Sequence, residues 1–354
     1  MRYPEFLREN GRLGFIAPSF GCGSLEPYHT RFLSALDYFE KQGFQTSIGP
    51  NVYLELGIGK SNTPDKCGEE INDYFCNEKC DVILSVGGGE TMCEDLDFVD
   101  FERIAGSKPH WFMGYSDNTN LTFTLPTLCD IAAVYGPNAS SFGMSPIHAS
   151  LVDALALLKG QKMSFANYPA WEIEGMDSPE NPTAPLNCTQ PCSLSLHMPA
   201  QQESPLPSNV QGAITMRGRL LGGCLDCLVC LCGTKYDKVR AFNQTYQKDG
   251  VLWFLESCDL NPISILRSLW QLKNAGWFDN ARGFLIGRPL HYTETMMSLN
   301  CHQAFLQALG ELHLPILLDV DFGHLPPQLP LISGAVGTVV TDGKQMQITY
   351  DLSN

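Results

Sequence analysis

Basic residues are scarce in this chain of 354 residues: 23 Lys and Arg stand against 38 Asp and Glu, a formal net charge of −15. A surface of that sign repels phosphate backbones and anionic lipid, which argues against a nucleic-acid or membrane-surface role. Long apolar runs are missing too, and nothing approaches the ~18 residues needed to span a bilayer. The opening "MRYPEFLRENGRLGFIAPSF" scatters charge where a signal peptide would carry an apolar core. The expectation is a cytoplasmic protein, whose fourteen cysteines are then mostly reduced thiols rather than a disulfide framework. Nucleotide-binding signatures are incomplete: there is no G-x-x-x-x-G-K-[ST], and "GCGSLE" places Glu26 where G-x-G-x-x-G needs its third glycine. No internal repeat is visible.

What the chain does have is rhythm. Through its first part, strand-like apolar runs alternate with amphipathic stretches: "RLGFIAPS", "DVILSVGGG", "HWFMGYS" and "IAAVYG" each end in a Gly-rich or polar turn. That alternation predicts a parallel sheet covered by helices, with ligands at the carboxyl ends of the strands. The division expected is an N-terminal α/β domain over 1–165, a Pro-rich linker or surface excursion over 166–210, and a second, mixed domain over 211–354 with a β-rich core. In the last domain Asp342-Gly343 joins two alternating runs, the cue of a hairpin.

Four constellations could carry chemistry. In "WFMGYSDNTNLTF", Ser116 stands on a strand-to-helix corner with Gly114 two residues before it. This resembles a G-x-S-x-G elbow whose last position is Asn118, although Ser116 or Asp117 could instead cap the following helix. The run "ILSVGGGET" offers backbone N–H groups around Gly88 and Gly89 to an anion. Glu256 ends the apolar strand "VLWFLE" and His324 lies on the Gly/Pro-punctuated loop "DFGHLPPQLPL", positions where a buried acid and a base find partners. The run "CLDCLVCLC" lacks ferredoxin spacing; Leu225, Leu228 and Leu231 fit a buried helix with cysteines as small apolar residues.

Taken in order, "IAPSF", "VGGGET", "FMGYSDNTNLTF", "YGPN", "GRLLGGCLDCLVCLCGT", "VLWFLES", "QLKNAGWFDNARGFLIGRP" and "FGHLPPQLPLISGA" resemble the blocks of one family. It is the serine peptidase family of LD-carboxypeptidases and microcin C self-immunity proteins. The resemblance implies a Rossmann- or flavodoxin-like N-terminal domain bearing the serine and a C-terminal domain bearing the other two groups. It implies a triad of Ser116, Glu256 and His324, no metal or organic cofactor, and a homodimer. The oxyanion hole would then use backbone N–H groups of Asp117 and of Gly88 or Gly89. Two departures stand out: Cys224 follows Gly-Gly where many members carry Asn, and the glycine turn reads "GGGE".

The activity so implied is hydrolysis of an amide next to a free carboxylate, with a small peptide or muropeptide tetrapeptide losing D-alanine as the first candidate. A second possibility keeps the triad and cleaves aminoacyl-nucleotide or toxic-peptide amides. A non-catalytic ligand-binding protein is the third. Trp171, in the Pro-rich stretch, either stacks on a substrate ring or anchors its own loop.

Overall fold

The computed structural model describes residues 1–57, 59–199 and 213–353. The part of the expected linker at 200–210 therefore lies outside the described residues.

Two sheets organise the chain. The first contains β1 (Arg12–Ile16), β2 (Gln45–Ile48), β3 (Val82–Ser85), β4 (Trp111–Gly114) and β5 (Ala133–Tyr135). All five run parallel in the order β5-β4-β3-β1-β2. β3, β4 and β5 are buried at every residue, as expected of strands covered on both faces.

The remaining strands are β6 (Ser164–Ala166), the small ribbon β7 (Ala170–Trp171) and β8 (Gln190–Pro191), β9 (Ser195–His197), β10 (Ile214–Cys224), β11 (Val251–Glu256), β12 (Ala281–Arg288), a second ribbon β13 (Thr295–Met296) and β14 (Leu299–Asn300), β15 (Ile316–Gly323), β16 (Leu331–Ser333), β17 (Val336–Thr341) and β18 (Met346–Asp351). The second sheet has the order β6-β18-β17-β10-β11-β12-β15-β9. Its centre, β10-β11-β12-β15, is parallel, and its flanks are antiparallel. The fold is thus mixed α/β with a parallel-sheet first lobe and a β-rich second one.

The sheets do not part where the composition changes. β9, inside the expected linker, extends the second sheet beside β15. β16, from the C-terminal part, crosses back to pair antiparallel with β5. The expected hairpin is present: β17 and β18 pair around residues 342–345, and the Asp342 carboxylate accepts the N–H groups of Lys344 and Gln345.

Strand alternation shares the side chains of β10 and β11 between two cores. Leu220, Leu252 and Phe254 join Phe15, Leu84, Met113 and Val134 in a cluster containing residues of both sheets. Leu221, Trp253 and Leu255 pack instead with Ile265 and Leu269 of the helix Pro262–Asn274. The helix Leu225–Leu231 buries Leu225, Leu228 and Leu231, as the cysteine-run spacing predicts. The carboxyl ends of the parallel strands in both sheets supply Ser116 after β4, Tyr135 on β5, Glu256 on β11 and His324 after β15.

Candidate active site

Ser116 begins a short 3-10 turn, Ser116–Asn118, that leads into the helix Thr119–Thr124. Its φ of +65° lies in the left-handed region that non-glycine residues seldom occupy. Neither the turn nor the helix is capped by a side-chain hydrogen bond, so the Ser116 hydroxyl is not spent on capping. The corner is tight: a Cβ at Gly114 would fall 2.9 Å from Asn118, which accounts for the small residue two positions before the serine. Asn118, where an elbow would have glycine, ties the corner down. Its amide donates to the Gly87 carbonyl at 2.8 Å and to the Tyr115 carbonyl at 3.1 Å.

The structure brings the three expected side chains together from both lobes. His324 Nε2 lies 2.9 Å from Ser116 Oγ, and His324 Nδ1 lies 2.7 Å from Glu256 Oε2. Glu256 is fully buried, so its carboxylate must be satisfied by protein. The second oxygen accepts the Tyr135 hydroxyl at 2.5 Å, a contact that joins β5 of the first sheet to β11 of the second. The Ser116 backbone N–H donates to the same phenol oxygen at 3.3 Å. Burial and the adjacent Glu256 carboxylate push the Tyr135 phenol well above its ordinary range, so it stays protonated and donates. Burial alone would push the His324 imidazole down. The Glu256 charge, with hydrogen bonds to Cys258 and Glu256, outweighs it and raises the imidazole well above its usual value.

Asp117 turns its side chain away from Ser116. The buried carboxylate accepts the Ser19 hydroxyl, the Met92 N–H at 2.8 Å and the Asn120 amide at 3.0 Å, joining the loop after β1 to the start of the 3-10 helix Met92–Phe98. Gly88 is the turn residue nearest the nucleophile position: a Cβ there would stand 3.3 Å from Ser116 Oγ. Trp171 is only 3% exposed. Its indole N–H donates to the Pro191 carbonyl at 3.1 Å, its ring packs on Tyr292, and the Arg288 guanidinium lies 5.0 Å from the ring centre. Of the two readings of Trp171, these contacts match the loop-anchoring one.

A cavity of about 520 Å³ opens beside His324, lined among others by Phe20, Tyr28, Gly88, Tyr115 and Asn138. Arg31 is the only lysine or arginine on its wall among the described residues, and it pairs with Asp177 at 3.3 Å. Sequence reasoning missed both Tyr135 and Arg31. Tyr135 ends the apolar run "AAVY", a signal of the same kind that pointed to Glu256, whereas Arg31 sits in an ordinary amphipathic helix, Tyr28–Lys41, and carried no signal.

Comparison with known proteins agrees with this architecture. Residues 13–136 match the model of the LD-carboxypeptidase N-terminal domain, and residues 217–339 match that of the LD-carboxypeptidase C-terminal domain. A Treponema pallidum protein named "Putative carboxypeptidase" is 23% identical over 343 residues, covering 96% of this chain and 92% of that one. A like-named Streptomyces coelicolor protein is 24% identical over 348 residues, with 96% and 93% covered. Among solved structures, the microcin self-immunity protein MccF in complex with aspartyl sulfamoyl adenosine superposes with a TM-score of 0.81 at 20% identity, over 100% of both chains. An MccF-like protein from Bacillus anthracis gives 0.81 at 19% identity, over 99% of this chain and 100% of that one.

Proposed function

The chain belongs to the LD-carboxypeptidase family, which also takes in the microcin self-immunity proteins, and from that premise we propose that it is a serine-type carboxypeptidase working through Ser116, His324 and Glu256. The observation that carries the reading is the unbroken hydrogen-bonded line from Ser116 Oγ through both ring nitrogens of His324 to the buried Glu256 carboxylate. In this mechanism His324 takes the Ser116 proton as Oγ attacks the amide carbonyl, and Glu256 steadies the imidazolium that forms. Backbone N–H groups of Asp117 and of Gly88 or Gly89 hold the oxyanion. His324 then gives the proton to the leaving amine, and water, deprotonated by the same imidazole, releases the acyl group.

The first substrate proposed is a muropeptide tetrapeptide cut at its L,D bond to release D-alanine. Arg31 is the cation offered to a substrate carboxylate, in exchange for Asp177. A second reading is favoured by the size of the cavity: about 520 Å³ accommodates a nucleoside-sized group, and an aminoacyl-nucleotide amide is then the substrate. Homodimeric assembly accompanies the proposal and is read by light scattering.

Mass spectrometry of the tetrapeptide and of an aminoacyl sulfamoyl-adenosine, each incubated with wild type and Ser116→Ala, decides between the readings. Loss of D-alanine with wild type alone supports the carboxypeptidase; cleavage of the adenosine compound alone supports the immunity-type hydrolase. Equal cleavage by both proteins would remove Ser116 from the mechanism.

A further inference from the structure

Ser116 lines a second, smaller cavity of about 70 Å³, whose wall does not include Arg31. Its wall is unusual for a hydrolytic site: thiols of Cys224, Cys227, Cys230 and Cys258 alternate with the carboxylates of Asp226 and Asp259. No lysine or arginine lines it among the described residues, and Glu90 at its edge is pushed upward by burial and by the charges of Asp259, Asp117 and Asp226. The cavity therefore carries negative potential and draws in cations rather than carboxylates.

Cys224, on its wall, belongs to a donor set that the sheet register assembles. Cys224 and Glu256 are paired residues on the adjacent parallel strands β10 and β11, and His324 follows β15 two strands further on. A Cys224 sulfur, a Glu256 oxygen and a His324 nitrogen all lie within 4.8 Å of one another. Cys224 and Glu256 are 1% and 0% exposed. Bond lengths of about 2.0–2.3 Å at tetrahedral angles put zinc ligands roughly 3.3–3.8 Å apart, so small side-chain movements suffice. One thiolate, one imidazole and one carboxylate suit a borderline-soft cation and not magnesium or calcium.

We propose that Cys224, Glu256 and His324 form an inhibitory site for a divalent cation of the zinc type. On binding, Cys224 gives its thiol proton to solvent. The cation accepts lone pairs from the thiolate, one imidazole nitrogen and the carboxylate, and water or Ser116 Oγ fills the fourth position. No oxidation state changes. The imidazole lone pair or the Glu256 contact is then no longer available to activate Ser116, so occupancy switches hydrolysis off. Ion binding stands independently of the reaction proposed above, while the switch rests on it.

The test uses Co²⁺ as a spectroscopic probe, then Zn²⁺ as inhibitor, on the full chain under a non-thiol reductant that keeps Cys224 and Cys227 from oxidising. Wild type is expected to show a thiolate-to-cobalt charge-transfer absorption saturating at one equivalent, lost on adding Zn²⁺. Zn²⁺ is expected to abolish hydrolysis, and a chelator to restore it. Cys224→Ala should lose the absorption and need about tenfold or more Zn²⁺ for the same inhibition. Ser116→Ala, inactive but with all three donors, should keep the absorption, and so should Cys227→Ala and Cys258→Ala. Circular dichroism establishes that each variant folds, and Cys224→Ser replaces Cys224→Ala if that one does not. No absorption in wild type, its survival in folded Cys224→Ala, or its loss in Cys227→Ala or Cys258→Ala alone overturns the site. Undiminished turnover with the absorption saturated overturns the switch. If no substrate is turned over at all, the absorption still decides the site, and only the reaction proposed above has failed.

Discussion

In the proposed mechanism His324 is the residue whose protonation sets the working pH. Its imidazole is raised well above the ordinary 6.5, and as general base it serves only when neutral. The acid limb of kcat/KM is therefore expected to fall through a midpoint above 6.5, and a midpoint at or below that value in a pH–rate profile would contradict the assignment. Stability runs the other way. A raised folded-state value contributes stability that is complete below the unfolded imidazole's value and is lost as pH rises through the folded one. Tyr135 is the second residue with a readable consequence. Tyr135→Phe keeps the ring but leaves a buried Glu256 oxygen without its donor. The expected cost is about 1–3 kcal/mol in chemical denaturation, with kcat lowered by roughly tenfold as Glu256 loses its hold. At this scale the sequence was most informative where chemistry interrupts an apolar strand. Ser116, Glu256 and His324 each stand at such a break, so their placement was legible. Trp171 was not, because burial under Tyr292 and Arg288 depends on a loop whose path no local pattern specifies.

Among the elements, β12 and β15 carry a buried pair that fastens the excursion after residue 166 to the second sheet. Arg288 is fully buried and meets Asp321 at 2.7 Å, while the other Asp321 oxygen accepts the Tyr168 N–H at 2.6 Å. Removing one partner leaves an uncompensated buried charge. Asp321→Ala is expected to cost about 3–5 kcal/mol in denaturant titrations. It should also loosen the 167–199 segment, measured as faster amide hydrogen exchange there. A cost under about 1 kcal/mol would show the pair to be dispensable. The parallel strands were legible because burial on both faces demands continuous apolar runs such as "DVILS" and "VLWFL". β9 and β16 were not. Each is three residues long, and its partner strand lies more than a hundred residues away in sequence, for β16 in the other lobe.

On the scale of the whole molecule, the proposed function depends on two sheets presenting their carboxyl edges to one site. The first supplies Ser116 and Tyr135, the second Glu256 and His324, and the Tyr135–Glu256 and Ser116–His324 hydrogen bonds are where the lobes meet chemically. Two α/β halves were readable from the alternation of apolar runs, and a shared site was implied by the resemblance. That β16 and β9 cross between or extend the sheets follows only from tertiary packing, which also places the mixed core that unites Phe15 and Val134 with Leu220 and Phe254. In the proposed mechanism this meeting of edges activates Ser116 as a nucleophile. It is tested most directly by treating the protein with a fluorophosphonate and locating the adduct by peptide mass spectrometry. One adduct is expected, on Ser116, formed at least about 10³-fold more slowly in folded His324→Ala. An adduct at another residue, or labelling of Ser116 that is indifferent to His324, would contradict it.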